Sequence, residues 1–103
     1  MKTRVLPSSF AEDEIEYYLR RYESEVRGLG DRLWDDIQKV IELISEYPEI
    51  GEQIRRTRGL VRRFPLDHFP FVLIYRRHED YLQIVALAHT SRKPNYWKPR
   101  LKE

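Results

Sequence analysis

The segment "FVLIYRRHEDYLQIVALAH", residues 71–89, constrains the fold more than any other part of this chain. "FVLIYR" (71–76) is apolar without interruption until its closing arginine. A strand of that kind belongs in the middle of a sheet, with both faces covered. "RHED" is a turn, and "YLQIVALAH" (81–89) returns as the second strand of a hairpin. Such a hairpin needs other elements packed against it.

Two helices are available for that role. Phe10, Ile15, Tyr18, Leu19, Tyr22 and Val26 recur at three- and four-residue steps, which predicts a helix from about 9 to 27. Ser9 and Glu12 fit a capping box at its start. "RGLGD" breaks it with two glycines. Leu33, Ile37, Val40, Ile41 and Ile44 form a second stripe, on a helix that starts near Asp31 and ends before Pro48. Upstream, "KTRVL" is a short strand closed by Pro7. Downstream, "QIRRTRGLVRRFP" is arginine-rich and broken at Gly59, so it reads as an edge strand or a bent pair of short strands. The expectation is one α+β domain over residues 1–103, in two layers. It has an N-terminal strand and an antiparallel helical hairpin packed on a small antiparallel β-sheet. Tyr17 and Leu66 lie off the stripes and are expected as exposed contact points.

Composition narrows the chemistry. No cysteine is present, so disulfides and thiolate catalysis are excluded. The three histidines, His68, His78 and His89, are scattered without metal-ligand spacing, so neither a metal nor another cofactor is expected. The N-terminus has no apolar signal core and no run approaches membrane-spanning length, which places the chain as a soluble cytoplasmic protein without membrane contact. Residues 1–50 carry 7 Lys+Arg against 12 Asp+Glu, and residues 51–103 carry 12 against 5. That split points to a basic face for a polyanion or an acidic partner.

The arginines of the second half are the first candidates. Arg55, Arg56, Arg58, Arg62, Arg63, Arg76, Arg77, Arg92 and Arg100 can line one surface from neighbouring strands, with Arg62, Arg63, Arg76 and Arg92 the candidates for binding a target or phosphate, or they can be scattered for solubility. Guanidinium matches phosphate or carboxylate in a bidentate fork. His89 ends the last strand, where a side chain is both held and exposed, and can act as acid or base. A lone histidine in such a place is more often a structural one bonded to a loop carbonyl. Tyr96 and Trp97 follow. An aromatic beside arginines can stack on a base, or Trp97 can fold back on the sheet and pin the tail. His68 and His78 have no assigned role.

The order of pieces resembles a known family. "SSFAEDEIEYYLRRY", the "PEIG" after helix 2, the Tyr-Arg that ends the central strand, and the tail "HTSRKPNYW" together are similar to the RelE/ParE superfamily of toxins from type II toxin–antitoxin modules. The resemblance is closer to the ParE branch. It implies a growth-inhibiting toxin neutralised by a cognate antitoxin in a hetero-oligomer. A ParE-like member poisons DNA gyrase without catalysis of its own. A RelE-like member cuts mRNA on the ribosome, and in that case His89, Arg92 and Tyr96 would be the catalytic set, with Arg62, Arg63 and Arg76 holding phosphate. An inert relative that only binds antitoxin is the remaining alternative.

Overall fold

The computed structural model describes residues 2–102. Strand β1 (Arg4–Pro7) leads into helices α1 (Ser9–Glu25) and α2 (Leu29–Glu46). Strands β2 (Glu52–Gln53), β3 (Val61–Pro65), β4 (Phe71–Arg77) and β5 (Tyr81–His89) follow, and a 3₁₀ turn at Lys98–Lys102 closes the chain. The sheet has five strands in the order β1-β5-β4-β3-β2. The stripe of α2, the hairpin 71–89 and the bent pair around Gly59 stand as expected. In α1, Ile15, Tyr18, Leu19 and Tyr22 face the core, but Phe10 and Val26 are exposed and the helix ends at Glu25. The sheet is mixed rather than purely antiparallel, because β1 pairs with β5 in parallel.

The helix termini differ from the capping-box expectation for a local reason. Ser8 N donates to Ile84 O at 2.9 Å, so Ser8 is still tied to the sheet in an extended conformation. The helix can start only after it. Ser8, not Ser9, is the N-cap, and its hydroxyl accepts from Ala11 N at 3.1 Å. Helix α2 begins at Leu29 rather than near Asp31, because Gly28 adopts φ 88° as the N-cap. Gly28 has no side chain to cap with. The Glu23 carboxylate does it instead, accepting from Gly28 N at 2.9 Å and Gly30 N at 3.0 Å.

Both faces of the sheet are covered, by different elements. On one face, Ile15, Leu33, Ile37 and Ile44 of the helices pack on Phe71, Leu73, Tyr75, Leu82, Ile84 and Leu87. On the other face, Trp97 packs on Val61, Ile74, Val85 and Ala86. The tail therefore folds back as expected, and Trp97 is only 4% exposed. Leu66 is a correction: it is buried, not exposed, because its N–H bonds Phe71 O at 2.9 Å and turns it into the helix-side core. Tyr17 is exposed as expected.

One irregularity decides which way the end of β5 faces. Ile74 pairs with Ala86 and Tyr75 with Ile84, so Val85 is an extra residue in β5, a β-bulge. Before the bulge, Leu82 and Ile84 face the helices; after it, Leu87 does. Without the bulge, simple alternation would put the odd-numbered residues 87 and 89 on the tail face.

Candidate functional site

The tail leaves a groove of about 260 Å³ between itself and the sheet, lined by Ile54, Arg63, Val72, Ala88, Arg92, Lys93 and Tyr96 among others. Its floor is apolar and its rim is basic. Arg63 projects from β3 and pairs with Glu52 at 2.7 Å, while remaining half exposed. Arg92 and Lys93 are exposed and come from the turn after β5. The guanidinium of Arg92 lies 3.9 Å from the centre of the Tyr96 ring, a cation–π contact that sets where it points.

Arg62 and Arg76 are not gathered there, and His89 borders the groove while its ring turns away to the helix side. Arg62 faces the helix side and donates to the carbonyls of Glu49 at 2.9 Å and Gly51 at 2.8 Å. Arg76 donates to Leu101 O at 2.7 Å and so anchors the tail. The His89 ring meets Phe71 edge-on at 5.1 Å and lies over Tyr18 at 6.2 Å, against the helices. The Val85 bulge turned it to that face. Its Nδ1 accepts from Ser91 N at 3.0 Å, so the neutral ring carries its proton on Nε2.

Tyr96 lines the groove, but its hydroxyl is committed. It donates to Glu14 Oε2 at 2.5 Å. Burial, reinforced by that hydrogen bond, pushes the phenol well above its usual range. Arg100 grips the same carboxylate with two nitrogens, at 2.8 and 3.0 Å. Sequence reasoning missed Glu14, which looks like one more acid on a solvated helix. In the fold it does a strand's work. Strand β1 ends opposite Ile84, which leaves the edge of β5 unpaired beyond that point. Glu14 Oε1 accepts from Leu87 N at 3.2 Å, and Arg100 Nη1 donates to Val85 O at 3.0 Å. The ion pair thereby satisfies polar groups on the edge that β1 leaves unpaired.

The quoted motif pieces also meet. Tyr75 donates its hydroxyl to Pro48 O at 2.8 Å and accepts from Gly51 N at 3.0 Å. Together with Arg62, it holds the "PEIG" loop on the sheet. A Cβ on Gly51 would lie 2.6 Å from the Tyr75 hydroxyl, so only glycine fits. These residues hold the architecture, and the groove rim carries Arg63, Arg92 and Lys93.

Among the described residues, one cluster offers metal-ligand atoms: Asp36, Asp67 and His68 each place one within 4.8 Å of the others. Asp36 is already engaged. Its carboxylate accepts from His68 N at 2.8 Å and meets His68 Nδ1 at 3.0 Å.

A helical hairpin on one face of a mixed five-stranded sheet, with an N-terminal strand at its edge, is the RelE/ParE-like fold. A solved structure described as the chromosomal ParDE TA system from P. aeruginosa is similar over 87% of this chain and 98% of that one, at 15% identity and a TM-score of 0.70. Residues 8–94 match the family model for the ParE toxin of the type II toxin-antitoxin system, parDE. The chain belongs to that family. No curated protein matches it. Among the described residues, no helix is long and apolar enough to cross a membrane.

Proposed function

We propose that this chain is a growth-inhibiting toxin, held in check by a cognate antitoxin, that acts on DNA gyrase by binding rather than by cutting RNA. The observation that carries this reading is a groove with cations but no free acid–base pair. Cleavage through a 2′-hydroxyl needs a base for that hydroxyl and an acid for the leaving oxygen. The Tyr96 hydroxyl is occupied by Glu14, and His89, although it borders the groove, packs its ring against Phe71 and Tyr18 on the helix side. Arg63, Arg92 and Lys93 suit carboxylates or phosphates of a macromolecular partner instead. Family membership supports the toxin reading and its pairing with an antitoxin.

The test sets two assays side by side with the purified chain. Gyrase supercoiling should be inhibited, with cleaved DNA accumulating, while mRNA on ribosomes stays intact. Ribosome-dependent mRNA cleavage with normal gyrase activity would refute the reading in favour of a RelE-like nuclease. Induction in cells should arrest growth, and the adjacent antitoxin gene should restore it. Absence of arrest at good expression would mark an inert relative.

A further inference from the structure

The geometry points to a second functional element: the loop between β2 and β3 is a preformed cationic tip that binds the phosphate backbone of duplex DNA directly. Three of its residues are arginines, Arg55, Arg56 and Arg58, and all three are exposed. Among the described residues none has a carboxylate within salt-bridge distance, whereas Arg63 nearby is paired with Glu52. A loop meant only for solubility would be free to relax. This one is held: Ile54 N donates to Val61 O at 3.0 Å, Thr57 Oγ1 to Ile54 O at 2.6 Å, and Leu60 N to Thr57 O at 3.0 Å.

The fold holds two of the arginines in a conformation they do not favour. Arg56 and Arg58 have φ of 64° and 57°, in the left-handed region where a Cβ crowds the backbone. Asparagine or glycine would sit there with less strain. The arginines therefore contribute nothing to the turn that a smaller residue would not do better. Their charge is what they add.

The tip is continuous with the groove, because Ile54 lines the groove and immediately precedes Arg55. Arg55, Arg56 and Arg58 thus adjoin, through Ile54, the groove rim that carries Arg92, Lys93 and Arg63, and among the described residues the first five have no carboxylate partner. A polyanion is the complementary partner. Duplex, rather than single strand, follows from the aromatics. A single-strand site combines cations with exposed rings on which bases stack. Here Trp97 is buried, and Tyr96 is flanked by Arg92 at 3.9 Å and Arg100 at 5.1 Å. With no free ring, the surface contacts backbone only, which a duplex presents with its bases enclosed. This inference does not depend on gyrase being the target, since it concerns DNA alone.

The experiment is fluorescence anisotropy of the full chain with a labelled random-sequence DNA duplex, from 50 to 200 mM salt. A single-stranded DNA and a single-stranded RNA of equal length run in parallel. The variant Arg55→Gln/Arg56→Asn/Arg58→Asn removes the three charges while placing asparagine at the left-handed positions. Expected are duplex binding with a log–log salt slope of about −4 to −5, and a slope smaller by about 3 in the variant. Circular dichroism and melting should match between the two proteins. No duplex binding at 50 mM salt by the folded chain overturns the proposal, as does an unchanged slope in a folded variant. Tighter binding of either single strand overturns the duplex assignment. Gyrase inhibition by a chain that fails to bind DNA would leave the proposed function standing and remove this inference alone.

Discussion

Glu14 shows how much a single side chain is asked to do. It neutralises Arg100, holds the Tyr96 hydroxyl and accepts a backbone N–H from Leu87. The pair is largely shielded, with side-chain exposures of 16% for Arg100 and 12% for Glu14. Removing one partner of a buried pair leaves the other charge unpaired, so Glu14→Gln should lower stability by about 3 kcal/mol. Urea titration checks it, and an unchanged midpoint would show that the pair is dispensable. Tyr96→Phe loses one hydrogen bond to a charged acceptor and should cost about 2 kcal/mol. Growth arrest per folded molecule should persist in Tyr96→Phe and in His89→Ala, measured at matched soluble levels. Loss of arrest in both would restore the nuclease mechanism. Asp36 supplies the pH dependence. Burial alone would raise its carboxyl, but the His68 backbone N–H and ring outweigh that and hold it below its ordinary 3.8. A group whose pKa is lower folded than unfolded contributes stability above the unfolded value and loses it as pH falls through the folded one. Melting temperature should therefore drop on acidification below about pH 5 less steeply in Asp36→Asn than in the parent.

At the scale of elements, the sheet is braced from both sides and each brace has its own weak point. The "PEIG" loop depends on Gly51, where a methyl group would meet the Tyr75 hydroxyl at 2.6 Å and the Arg63 carbonyl at 2.9 Å. Gly51→Ala should cost about 1–3 kcal/mol, since both neighbours are fixed by the sheet. The tail depends on Trp97, which fills the space over Val61, Ile74 and Ala86. Trp97→Ala should cost about 3–5 kcal/mol by emptying that space. Thermal melts test both, and hydrogen exchange should localise the second loss to residues 90–102 and the strand amides beneath. The elements themselves were legible in the chain, because burial repeats every 3.6 residues on a helix and a strand covered on both faces reads as a short unbroken apolar run. The N-cap of α1 was placed one residue late, at Ser9 rather than Ser8, since Ser8 is held extended by Ile84, a residue far along the sequence.

For the molecule as a whole, charge and layering coincide. The helices carry most of the acids, and the strands and tail carry most of the bases. Removing residues 96–103 should leave the helix-side core intact, because that core uses no tail residue. Helical circular dichroism should persist with a lower melting temperature; complete loss of helix would show that the two cores fold only together. By itself, the sequence determined the two-layer fold class, the order of its elements and the basic character of the second half. Those properties rest on composition and local periodicity, which the chain displays residue by residue. Only the tertiary structure decided which cations share a surface. The continuous apolar run "IVALA" gives no alternation from which to read the Val85 bulge, yet that bulge sends His89 to the helix face. Arg62 and Arg76 were spent on loop and tail carbonyls that lie far from them in sequence. Glu14 became the partner of Tyr96 and Arg100 only when β1 stopped short and left an edge to be satisfied. Such pairings are set by long-range backbone geometry, and no local pattern encodes them.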